Sequence, residues 1–121
     1  MTRVVFFQEE DGTTPLLKWL DSLPPPAQDK CTERIERLRE FGHRLRRPEA
    51  DYLRDGIHEL RVKHERINYR MLYFFHGQHA IVLSHGLIKQ QSAVPPREIK
   101  RALIRKRAFE RDPKRHTLEA S

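Results

Sequence analysis

"GIHELRVKHERINYRMLYFF", residues 56–75, decides how this chain folds. Its β-branched and aromatic residues spell two strands, 57–63 and 67–76, separated by His64, Glu65 and Arg66. A connection that short joins antiparallel neighbours. Alternation then assigns faces. Ile67, Tyr69, Met71, Tyr73 and Phe75 share one side of the second strand, and Asn68, Arg70, Leu72, Phe74 and His76 share the other. Both sides are largely apolar, so this strand is expected to be central and covered on both faces. Arg70 is conspicuous there. Its guanidinium must snorkel out to water, pair with a carboxylate such as Glu59, or line a cleft. In the first strand Glu59, Arg61 and Lys63 project together, opposite His58, Leu60 and Val62. They form either a solvated polar face or a platform for something negatively charged.

Outward from this pair, "AIVLSHGLIK" at 80–89 supplies a third strand over 80–88, joined through the compact "HGQ" at 76–78. "RVVFF" at 3–7 is a further short strand. "TPLLKWLDSL" reads as a helix capped at Thr14 with Pro15 in its first position. The prolines of "SLPPPAQDK" can open a second helix but cannot sit inside it. From Ala27, the apolar positions Cys31, Ile35, Leu38 and Phe41 form one helical stripe that Gly42 stops. Residues 43–55 read as a polar loop with a short strand near Tyr52–Leu53. A last helix starts at "PPREI" and runs to about Phe109, with a polar tail from about 111. Helices followed by hairpin-linked strands imply an α+β class: an N-terminal strand, two helices, then an antiparallel twisted sheet with a C-terminal helix.

The 121 residues suit a single domain, 1–121, with one core. Charged residues make up 34% and hydrophobic ones 37%; with one Trp, three Tyr and six Phe, the chain still reads as globular rather than disordered. No apolar run is long enough to span a membrane, and no signal pattern opens the chain. The lone Cys31 rules out an internal disulfide and suits a reducing cytoplasm; its place on the helical stripe marks it as core. The net charge of +7 sits wholly beyond residue 50. That bias predicts a basic face with an anionic partner, nucleic acid first among the possibilities.

His85 closes an apolar strand and is followed by Gly86 and Lys89. A histidine there is most often a packed or surface residue, but among basic neighbours it can move protons near neutral pH. No CxxC, HxxxH, glycine-rich phosphate loop or GxSxG elbow occurs. The remaining set of arginine, lysine, histidine and tyrosine suits RNA cleavage. There the ribose 2′-OH attacks its own phosphate, and the protein supplies bidentate cations and proton transfer.

In order and spacing these pieces resemble the RelE/ParE superfamily of bacterial toxins, most closely its HigB-like, phage-related branch. The resemblance rests on Glu59-Leu60-Arg61, on Tyr69-Arg70-Met71 with Tyr73, on Leu83-Ser84-His85-Gly86 with Lys89, and on Pro95 with Glu98-Ile99 and Ala102. It spans roughly residues 3–110. It implies a RelE-like fold and a toxin that cleaves mRNA on the ribosome without metal or cofactor, held in check in the cytoplasm by an antitoxin protein. Carried over residue by residue, the catalytic set is Arg61, Arg70, Lys89, His85 and Tyr73. Lys63, Arg66, Arg97, Lys100 and Arg101 are expected to hold the RNA. A gyrase-poisoning ParE-like activity, or a non-catalytic nucleic-acid-binding or antitoxin-docking role, are the alternatives. The chain departs from the family pattern at Gln90 and Ala93, where lysines are usual, and at Val94, where a helix-capping threonine is usual.

Overall fold

The computed structural model describes residues 2–119. The elements, in chain order, are β1 (Arg3–Phe7), α1 (Pro15–Asp21), α2 (Pro25–Phe41), β2 (Ala50–Arg54), β3 (Ile57–His64), β4 (Ile67–His76), β5 (Ala80–Lys89), α3 (Pro96–Arg111) and β6 (Thr117–Glu119). The expected α+β class holds. The six strands form one sheet in the order β2-β3-β4-β5-β1-β6. Every described pairing is antiparallel except β1 with β5, which is parallel and makes the sheet mixed.

Helices cover the sheet on both sides. Tyr69, Met71 and Tyr73 of β4 pack with Leu60 and Val62 of β3 against Leu16, Leu20, Cys31, Ile35 and Leu38 of α1 and α2. Leu72 and Phe74 pack with Val5, Phe7 and Val82 against Ile99, Ala102 and Phe109 of α3. Strand β4 is therefore central and buried on both faces, as its two apolar sets require. Cys31 is fully buried in the first of these layers, and burial pushes its thiol up to about 11. Among the described residues no helix is long and apolar enough to cross a membrane.

Several boundaries differ from expectation, each for a local reason. Strand β2 is five residues long and returns into β3 through Asp55 and Gly56, both at positive φ (53° and 82°), the geometry of a type I′ turn. The short strand expected near Tyr52–Leu53 is there, as the middle of β2; the Asp-Gly pair announces the turn that follows it, which the reading of 43–55 as mostly loop did not include. The β3–β4 turn uses only two central residues, Glu65 and Arg66, which hold φ of 49° and 68° without being glycine. The tail is not featureless, since Thr117–Glu119 adds β6 beside β1, tied by a salt bridge between Glu119 and Arg3. Helix α2 starts at Pro25, two residues before Ala27, and uses prolines in its first turn, where their missing N–H costs nothing. At α3 the capping position is Pro95, so Val94 lies one residue earlier. Instead of losing a cap, it packs with Ile99 in the α3-side core, a hydrophobic staple across the helix start.

One irregularity reorganises β5. Leu72 pairs with His85 but Tyr73 pairs with Leu83, so Ser84 is an extra, bulged residue. Up to Leu83 the strand follows one alternation, and from His85 onward the opposite one. His85, Leu87 and Lys89 thereby face α3, while Gly86 faces α1. The indole of Trp19 occupies the space where a side chain at 86 would be: a Cβ there would lie 2.1 Å from Trp19 Cε3. Gly86→Ala is therefore expected to lower stability by ~1–3 kcal/mol through overpacking. Urea denaturation of G86A, W19L and the double variant checks this; the double variant should lose less than the sum of the two single losses.

Candidate functional site

Arg61 and Arg70 stand directly opposite each other across β3 and β4, on the α3 side of the sheet. Like charges in such a pair repel, and Glu59 relieves the repulsion. Its Oε1 lies 3.0 Å from Arg70 Nε and its Oε2 lies 3.7 Å from Arg61 Nε. Glu59 and Arg70 are 5% and 4% exposed, so carboxylate and guanidinium are buried together. Burial pulls the Arg70 guanidinium below its ordinary range, and Glu59 pulls it back. Arg70 Nη1 also donates to the Tyr69 carbonyl at 3.1 Å, but its Nε and Glu59 Oε1 make no aligned hydrogen bond. The Arg61 side chain keeps 29% of its exposure and meets solvent.

Arg61 and Arg70 line a cleft of about 370 Å³ together with Lys63, Asn68, Arg34 and Glu49. Glu49 is fixed in that wall by Arg37 of α2, whose Nε and Nη2 donate to its two carboxylate oxygens at 2.7 and 2.6 Å. The Arg37 hydrogen bonds hold its carboxyl below the usual carboxylate range. Arg34, also of α2, donates to the backbone carbonyl of Arg61 and pins β3 beyond the end of β2. No sequence signal pairs Arg37 with Glu49, since the loop that brings them together carries no periodicity. Asn68 pairs with Lys89 on β5. It also lines a neighbouring hollow of about 450 Å³ with Arg66, Ile88, Lys89 and Gln90. The two hollows thus share a wall, with Arg61, Lys63, Arg66, Arg70 and Lys89 distributed along it.

Other residues singled out in the sequence lie elsewhere. His85 is 5% exposed beneath α3, with both ring nitrogens engaged: Nδ1 with Ser84 Oγ at 2.8 Å and Nε2 with Glu98 Oε1 at 3.0 Å. A neutral ring with its proton on Nε2 satisfies both, donating to Glu98 and accepting from Ser84. Burial first, then the Arg105 charge, lowers the imidazole well below its ordinary range. Arg101 Nη1 donates to Glu98 Oε1 at 3.1 Å, and Arg97 lies 3.9 Å from Oε2 of the same carboxylate. Both are therefore partly neutralised, whereas Lys100 is exposed on the same helix. Tyr73 is 1% exposed on the opposite face, among the side chains packed under α1 and α2, and is not brought to Arg61. Gln90 and Ala93 are exposed in the segment between β5 and α3. Among the described residues, no three His, Cys, Asp or Glu side chains gather as metal ligands.

The family model described as Phage derived protein Gp49-like matches residues 18–107, most of the chain and all of the cleft-forming strands. The chain belongs to that family, a phage-derived, toxin-like family of the toxin–antitoxin type. No curated protein matches it.

The buried His85 has a stability signature. An unfolded chain binds a proton at this ring near pH ~6.5, and the folded protein does so only at lower pH. Stability is therefore expected to fall as pH drops below ~6.5, until the folded ring also protonates. Urea midpoints measured from pH 8 to 4 should fall more steeply for the wild type than for His85→Gln.

Proposed function

We propose that this Gp49-like protein is the toxin of a toxin–antitoxin pair and acts as an endoribonuclease on mRNA engaged with the ribosome. The observation that carries the reading is the pair Arg61 and Arg70, tied together by Glu59, in the wall of a basic cleft. Two guanidiniums held side by side match the non-bridging oxygens of one phosphodiester. In the proposed step the ribose 2′-oxygen attacks the adjacent phosphorus and loses its proton to a base. The P–O5′ bond breaks, and the leaving 5′-oxygen is protonated. The products are a 2′,3′-cyclic phosphate and a 5′-hydroxyl, and the atoms balance without an added cofactor. Arg61 and Arg70 stabilise the extra charge that develops on phosphorus. Glu59 positions both arginines, and Lys63, Lys89 and Arg66 guide the flanking phosphates. His85, with its two nitrogens already engaged, holds α3 to β5 in this reading, and Tyr73 has no part at the reacting phosphate.

Induction of the chain without an antitoxin is expected to arrest growth and produce new mRNA 5′ ends in phase with codons. DNA breaks without such ends would instead point to gyrase. Arg61→Ala should leave the protein folded, relieve the arrest and slow cleavage by at least ~10²-fold. It should also reduce the slope of log affinity for single-stranded RNA against log salt by about 0.7, one phosphate contact. Full toxicity of Arg61→Ala would overturn the site.

A further inference from the structure

On the face away from the arginine cleft, past the end of α2, lies a second cavity of about 600 Å³, a size that suits a small organic ligand. Its walls are rings. His43 stacks on Phe75 with centroids 3.8 Å apart and planes 11° apart. His58 stacks on Tyr73 at 5.1 Å and 20°, and meets Tyr52 edge-on at 5.0 Å. Tyr52 is 55% exposed, so aromatic surface remains open at the mouth.

The polar groups of this cavity are under-used. Tyr73 is 99% buried yet lines it, and its hydroxyl has no hydrogen-bond partner among the described residues. The half-buried His58 ring likewise makes contacts with other rings but no hydrogen bond within the described chain, while the exposed His43 ring stacks on Phe75 and keeps its nitrogens in water. Burial and the neighbouring His43 lower the His58 imidazole, so it offers one donor and one acceptor at neutral pH. At the rim, Arg47 is neutralised by Asp51 at 2.7 Å, whereas Arg46 makes no ion pair among the described residues.

We infer that this cavity is a nucleotide-binding site, taking one base of a single-stranded nucleic acid on its ring wall and the attached phosphate on Arg46. A flat heterocycle uses the stacking surface that a saturated ligand would not. Its hydrogen-bonding edge satisfies Tyr73 and His58, which an apolar anchor residue of a protein partner would leave unmet. An anionic tail is what an unpaired arginine at the mouth selects. The ring wall lies on the opposite face of the sheet from Arg61, whose charge reaches only Asp51 at the rim, and the site does not depend on the nuclease reading.

The test is an NMR titration of the intact chain with the 5′-monophosphates of adenosine, guanosine, cytidine and uridine, reading the ring protons of Tyr52, His58 and Tyr73. At least one nucleotide should shift these protons saturably. Tyr73→Phe, which removes only the hydroxyl, should weaken that binding ~3–10-fold. Arg46→Ala should reduce the affinity of the monophosphate to that of its nucleoside. Arg61→Ala should leave the titration unchanged, which separates this site from the cleft. The inference is overturned if no nucleotide moves these protons, if Arg61→Ala abolishes the shifts, or if both Tyr73→Phe and Arg46→Ala bind as the wild type does. It is equally overturned if the rings respond to an antitoxin peptide and to no nucleotide.

Discussion

The facing of the second half of β5, and with it the delivery of Lys89 to the side of Arg61 and Arg70, depends on a single inserted residue, the bulge at Ser84. Strands alternate strictly, so one extra residue reverses the facing of all that follow. Had β5 kept its initial alternation, Lys89 would point towards α1 and α2, His85 would face their apolar layer, and a side-chain position would replace Gly86 on the other face. The bulge instead delivers Lys89 to the side occupied by Arg61 and Arg70. It also presents the backbone at Gly86 closely enough for Trp19 to lie flat against it. The seat of α1 and the position of Lys89 in the neighbouring hollow thus follow from the same irregularity, acting on opposite faces of one strand.

The second constraint is electrostatic. Burying Arg70 in a strand covered on both faces carries a desolvation cost that the apolar neighbours cannot offset. Glu59, equally buried and 3.0 Å away, supplies the compensating charge and at the same time restrains Arg61. The result is a pair of cations gathered on one carboxylate before any anion arrives, with Arg70 held by burial, so less side-chain freedom remains to be lost on binding. The surrounding wall is similarly braced from α2, through Arg37 on Glu49 and Arg34 on the β3 backbone. A preorganised cationic floor is suited to charge that appears only transiently, as on a phosphorus under attack.

Much of this was legible in the residues. Period-two alternation placed Arg70 and Leu72 on one side of β4 and Tyr73 on the other, and it grouped Glu59 with Arg61 and Lys63. Glu59 could be named as a partner of Arg70 because both strands carried it to the same face. The bulge could not be read, because Ser84 is chemically unremarkable in a run of apolar residues and only pairing reveals the extra residue. His85 therefore came into view as a free strand-end base, whereas packing under α3 engages both its nitrogens. The Asp55–Gly56 turn was visible in principle as a dipeptide signature. Arg34, Arg37 and Glu49 were not, since their meeting depends on the path of a loop. Position 94 was read as a lost cap because motif spacing does not distinguish a capping residue from the one before it.

Cys31 gives the molecule a further property. With its thiol raised to about 11, the thiolate fraction at pH 7 is only about 10⁻⁴, and no surface reaches it. Oxidants and alkylating reagents therefore find nothing to react with while α2 lies on the sheet. Since the same helix braces Glu49 and the Arg61 backbone, any reagent that reached this one sulfur would have to lift α2 and loosen the cleft wall with it.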